Sequence, residues 1–106
     1  VVEKTVVSKV DKEAQRKEAA RRREMSRPIR KNIEKYEAKI SKLQTRLADI
    51  ETTLGDSSIY DSQRKDDLLK VMNEQTQLKT ELQQHEEQMF ELMFELEELE
   101  NSFENE

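Results

Sequence analysis

The sequence predicts an all-α fold: an antiparallel two-helix coiled-coil hairpin with a short turn segment at its tip. Three observations predict it. Apolar residues recur at alternating steps of four and three in two long runs, and the chain's only glycine, Gly55, lies between those runs. The composition is 41% charged and 33% hydrophobic, with one Pro and no Trp or Cys. That is too few apolar residues for an ordinary globular core, but enough for a seam that uses two positions in seven.

The first run reads Ile29, Ile33, Tyr36, Ile40, Leu43, Leu47, Ile50 and Leu54. The second reads Leu68, Val71, Gln75, Leu78, Leu82, His85, Met89, Leu92, Leu96, Leu99 and Phe103. Steps averaging 3.5 residues keep one stripe of each helix facing a partner. Such regularity argues against disorder as the reading of the high charge.

Taken in order, residues 1–10 (VVEKTVVSKV) lack a helical stripe and read as a linker or tail. The first residue is Val rather than Met, so a piece of a longer protein is expected. Residues 11–106 form the hairpin domain. Residues 11–25 are strong helix formers, with Asp11 as a candidate N-cap and a thin apolar face of Ala14, Ala19, Ala20 and Met25. Pro28 is tolerated in a first turn and disruptive in a helix interior. Ser26 as N-cap puts Pro28 in a first turn and predicts a fresh helix over about 27–54. One long helix from about 11, kinked near 25–28, is the alternative.

Gly55 is expected to stop that helix by adopting the left-handed conformation. In the turn, 55–61, Ile59 and Tyr60 are apolar bodies among polar neighbours, expected to fold back and plug the hairpin end. Asp61 or Ser62 then caps a second helix over 62–103, with 104–106 frayed.

Matching Leu54 with Leu68 gives a register in which paired numbers add to about 122. Leu47 then meets Gln75, Ile40 meets Leu82, Tyr36 lies beside His85, Ile33 meets Met89, and Met25 reaches Leu96. Residues 14–25 are needed to cover the last third of the second helix. Otherwise Leu96, Leu99 and Phe103 stay exposed and drive dimerisation.

Residues 1–35 carry 12 Lys/Arg against 6 Asp/Glu, a balance of +6, whereas residues 36–106 carry 7 against 18, a balance of −11. In the register above, Arg21, Arg22, Arg23 and Arg27 come alongside Glu95, Glu97, Glu98 and Glu100. Basic arm and acidic tail are then mutual partners, although an accessory binding role for the arginines stays open.

Six basic residues, Arg27, Lys31, Lys35, Lys39, Lys42 and Arg46, recur at steps of four and three and fall within a stripe of about 120° flanking the apolar seam. Glu34, Glu37 and Glu51 lie outside it. A row of point charges on a rigid rod suits a phosphate backbone. A solvated face, or pairs with Glu81 and Glu87, is the alternative. No aromatic residues are interleaved to stack single-stranded bases.

His85 and Gln75 read as polar breaks in the seam that fix register. Met89, Phe90, Met93 and Phe94 widen the second stripe and either receive residues 14–25 or dock another domain. Tyr60, Arg64 and Lys65 at the tip are either a contact surface or a plug. No Gly-rich phosphate loop, nucleophile beside a histidine or metal-ligand spacing is present, so the chain reads as non-enzymatic, without cofactor, metal or small-molecule ligand. The lack of cysteine fits a reducing compartment, and no stretch is apolar enough to span a membrane.

Three stretches carry a family resemblance: the basic lead-in KEAARRREMSRPIRKNIEKYEAKISKL, the turn LGDSSIYDSQRKDDL and the Glu-rich final helix. Together they resemble the C-terminal extension of the ABC-F ATPases, in particular the YheS-type and Uup-type bacterial members, over about residues 10–100. The resemblance implies a cytoplasmic parent with two ATP-binding cassettes, where ATP and magnesium would bind, and no membrane domain. It implies a coiled coil that works with the ribosome and its RNA in translation, or, as in the Uup branch, with DNA. Sequence-independent DNA binding and a purely structural docking role are therefore the alternatives to ribosome anchoring.

Overall fold

The computed structural model describes the backbone from Val2 to Glu106 and the side chains from Lys9 onward. Two helices, α1 (Val2–Gly55) and α2 (Lys65–Glu104), run antiparallel. Two single-turn 3₁₀ segments, Ser57–Tyr60 and Ser62–Arg64, join them. The result is a rod of 87 × 21 × 15 Å. Every seam residue of both runs, from Ile29 to Leu54 and from Leu68 to Phe103, is buried or half-buried. The register also holds where side chains report it: the Tyr36 and His85 rings stand 5.7 Å apart, tilted at 52°.

The first helix is longer than expected and unbroken. Helix α1 runs through Pro28 rather than starting after Ser26, and it already includes residues 2–10, which the sequence reads as linker. For residue 1 that reading lies outside the described residues. A proline in a helix interior costs about 3 kcal/mol through a lost hydrogen bond and a clash one turn back. Seam packing on both sides of the proline, at Ser26 and at Ile29 and Ile33, offsets this here. Pro28 is exposed, so its ring leaves the seam face intact, and the Ser26 hydroxyl donates to the Arg23 carbonyl at 3.2 Å in the turn the proline weakens. Ser26 is therefore no N-cap; it is buried at 5% exposure.

Ser26 also corrects the expected packing. Counting back from Ile29, the seam continues through Ser26, Arg22 and Glu18, all buried or half-buried, while Met25 is 45% exposed. Coverage of α2 stops there. Ala14, Ala19 and Ala20 are exposed, and every residue from Lys9 to Lys17 stands free of a partner helix. Phe103 is nonetheless buried, and Leu96 and Leu99 are half-buried, so these three are not the free surface that dimerisation through them requires. The guanidinium groups of Arg21 and Arg22 lie 5.7 and 5.3 Å from the Phe103 ring centroid and close this end of the rod.

At the tip, Gly55 ends α1 without a positive φ, contrary to expectation. The termination is made by side chains and by tight turns. Tyr60 donates from its hydroxyl to the Leu54 carbonyl at 2.7 Å, satisfying one of the acceptors that a helix C-terminus leaves open. Its ring is 59% exposed, so Ile59, at 1%, is the plug and Tyr60 is a cap. Asp56 accepts from the Ser58 N–H at 3.0 Å, and Asp61 accepts from the Gln63 N–H at 3.2 Å. Asp61 thus caps the second 3₁₀ turn rather than α2. Arg64 occupies the N-cap position of α2 without a side-chain bond, and Asp66 and Asp67 favour its positive end.

Candidate nucleic-acid interface

Helix α1 places all six predicted basic residues on its surface, each exposed. The two ends of the stripe are neutralised. Arg46 donates two hydrogen bonds, at 2.6 and 2.8 Å, to the two carboxylate oxygens of Glu74 across the hairpin. That pair holds Glu74 below the usual carboxylate range and raises Arg46. Arg27 pairs with Glu24 one turn back at 3.3 Å, with both side chains more than half exposed.

The middle is different. Among the described residues Lys31, Lys35, Lys39 and Lys42 make no salt bridge. The sequence alternative, pairing with Glu81 and Glu87, is not what the geometry contains. Lys39 instead rests its ammonium 5.3 Å from the Tyr36 ring centroid. At about 100° per residue, Lys31 and Lys35 lie on the far side of α1 from Ile33 and Ile40. The four lysines thus form a solvated row about 16 Å long, at 1.5 Å rise per residue, that lies opposite the seam at Lys31 and approaches its flank at Lys39.

Toward the open end the row runs into a shallow groove lined by Arg23, Arg27, Arg30, Lys31, Glu100 and Phe103. Arg30, absent from the sequence-predicted stripe, bridges to Glu100. The expected zipping of arginines to the acidic tail is only partly present and is shifted along α2. Arg22 donates to the Phe103 carbonyl at 3.0 Å, and Arg21 reaches Glu106 at 2.5 Å. Helical side chains lean toward their own N-terminus, which for α1 is the open end, so long arginines meet partners several residues beyond the backbone register. Arg21 and Arg22 also clasp Glu18 on their own helix, Arg21 with two hydrogen bonds and Arg22 with one, and these, Arg21's first, lower its pKa to about 2. The spacing Ile29, Ser26, Arg22, Glu18 carries the signal for the Arg22 and Phe103 clamp, because it continues the seam past the last apolar residue.

The second helix carries a contrasting surface. Phe90, Met93 and Phe94 are 58%, 41% and 67% exposed, so residues 14–25 do not cover them. Phe90 and Phe94 form a patch with Glu87, Glu91, Glu95 and Glu98. His85 touches Tyr36 by its ring, with no hydrogen bond between the two. Among the described residues no group of three His, Cys, Asp or Glu is placed to hold a metal, and no helix is long and apolar enough to cross a membrane.

Comparison of the chain with protein-family models, with curated proteins and with solved structures finds no match.

Proposed function

We propose that the hairpin is the non-catalytic C-terminal coiled-coil domain of a soluble, cytoplasmic ABC-F-type ATPase and positions that ATPase on the ribosome through its RNA. The observation that carries this reading is the row Lys31, Lys35, Lys39 and Lys42: four exposed cations along one side of α1, none ion-paired among the described residues. A polyanion backbone is attracted to such a row by counterion release and needs no pocket. The stretches RPIRKNIEKYE and LGDSSIYD supply the family part of the proposal, and the cassettes of the parent chain would supply ATP and magnesium.

The test is RNA binding by the 106-residue chain, measured by gel shift across a salt series. With four phosphate contacts, the logarithm of the binding constant falls against the logarithm of salt with a slope of about −3 to −4. Reversing Lys35 and Lys39 to Glu flattens the slope by about 2. Ribosome co-sedimentation that is unchanged by reversing all four lysines overturns the proposal. Preference for duplex DNA over ribosomal RNA in the same assay replaces the ribosome reading with direct DNA binding.

A further inference from the structure

The two outer faces of the rod are complementary to each other, yet no single molecule can bring them together. On α1 the outer surface carries Lys31, Lys35 and Lys42 beside the small residue Ala38, with Lys39 toward the seam flank, all exposed. On α2 the face turned away from the seam carries Phe90 and Phe94, with Glu87, Glu91, Glu95 and Glu98 beside them. By helical geometry Phe90 and Phe94 lie roughly opposite Leu92 and Leu99 on α2, as Lys31 and Lys35 lie opposite Ile33 and Ile40 on α1. Each patch spans about a dozen residues, roughly 18 Å of helix.

We infer that the acidic–aromatic face of α2 docks the lysine face of α1 of a second copy of this chain. Charge selects that occupant: no basic residue follows Lys79 on α2, and among the described residues no acid is paired to the lysine row. The two phenyl rings give the contact its apolar centre. Ala38 leaves room among the lysines for a ring, and the lysine stems and ammonium groups cover the ring faces. Because the two patches are on opposite sides of one rod, the contact is heterologous. Each added copy leaves one lysine face and one phenylalanine face free, and association is open-ended rather than a closed dimer. The same lysines cannot hold a phosphate backbone and a second copy at once, so RNA dissolves the assembly.

Sedimentation velocity of the chain without nucleic acid tests this, over a concentration series at low and high salt. The expected result is mass that grows with concentration and returns to monomer at high salt, since solvent-exposed charge pairs are screened. Two variants read the two faces separately. The reversals Lys35→Glu with Lys39→Glu, and Glu91→Lys with Glu95→Lys, each leave a monomer, while a mixture of the two variants associates again. Phe90→Ser with Phe94→Ser weakens association about tenfold or more, and circular dichroism checks that all variants keep the helical signal. A wild-type chain that stays monomeric at every concentration overturns the inference and leaves the phenylalanine face to a basic partner other than this chain. Association indifferent to the Phe90 and Phe94 substitutions overturns it as well. Neither result depends on RNA binding, which is measured separately.

Discussion

The tip and the open end of the rod are closed by different physics. At the tip, Ile50 and Ile59 are each 1% exposed, and the turn is fixed by local backbone and carboxylate hydrogen bonds among residues 53–64. At the open end the seam turns polar. Ser26, Arg22 and Glu18 take the inward positions, and Phe103 is covered by two guanidinium groups rather than by an apolar partner. Apolar packing is directionless and strong per residue, whereas a clamp of long, half-exposed arginines trades Coulomb attraction against side-chain entropy and is screened by salt. The hairpin is thus anchored at the turn and loosely clasped where α1 runs on alone.

The largest expected difference comes from emptying each end in turn. Ile59→Ala removes a fully buried side chain, and about 2–4 kcal/mol of unfolding free energy is expected to be lost in urea titrations. Phe103→Ala is expected to cost about half of that or less, because the last turns of α2 can fray locally without global unfolding. Hydrogen exchange separates the two. The first variant raises exchange along the whole hairpin, the second only near residues 18–30 and 96–104. Equal global losses would show that the open end is as cooperative as the tip.

Pro28 sharpens the same contrast at intermediate scale. It lies in the unbroken stretch of α1 that leads to the open end and removes one helical hydrogen bond there. Pro28→Ala is expected to stabilise the chain by about 1–3 kcal/mol, with protection gained mainly at residues 24–31. A destabilised variant would mean that Pro28 is needed to bring Arg22 onto Phe103.

The seam was legible because a 3.5-residue period leaves little freedom. All the residues from Ile29 to Leu54 and from Leu68 to Phe103 that the spacing selects face inward. The exceptions share a cause, which is that residue character misleads where geometry decides. Met25 is the more apolar choice, yet Ser26 holds the seam position because the spacing from Ile29 requires it. Pro28 and Gly55 carry strong local preferences for breaking a helix. One is overridden by continuous packing on both sides of it, and the other ends its helix without the left-handed conformation. The lysine row was legible from sequence, but its freedom from ion pairs was not. Whether a long side chain reaches across a seam depends on where it leans, as Arg30 and Glu100 illustrate. Exposure of Phe90 and Phe94 was legible in the same way: at 100° per residue both fall opposite Leu92 and Leu99, on a side of α2 that α1 does not reach.

The smallest expected effect concerns two carboxylates whose pKa values are both depressed, one at each end. Asp56 at the tip is held down first by the Ser58 backbone N–H, a donor that belongs to the turn itself. Glu18 at the open end is lowered to about 2 from 4.5, first by Arg21 and then by Arg22. In both cases the folded value lies below the unfolded one. The stabilisation is therefore complete above the unfolded pKa and is lost as pH falls through the folded one, for Glu18 between about 4.5 and 2. Carbon-detected NMR titration of the two side chains should find both depressed in the wild-type chain at low salt. In Arg21→Gln with Arg22→Gln, the Glu18 value is expected to return toward 4.5 while that of Asp56 stays put. Raising the salt should move Glu18 in the same direction and leave Asp56 nearly unchanged, because a backbone N–H bond inside a turn is not a screened pair of mobile charges. If both carboxylates respond alike, the two ends of the rod are held by the same kind of force and the contrast between them fails.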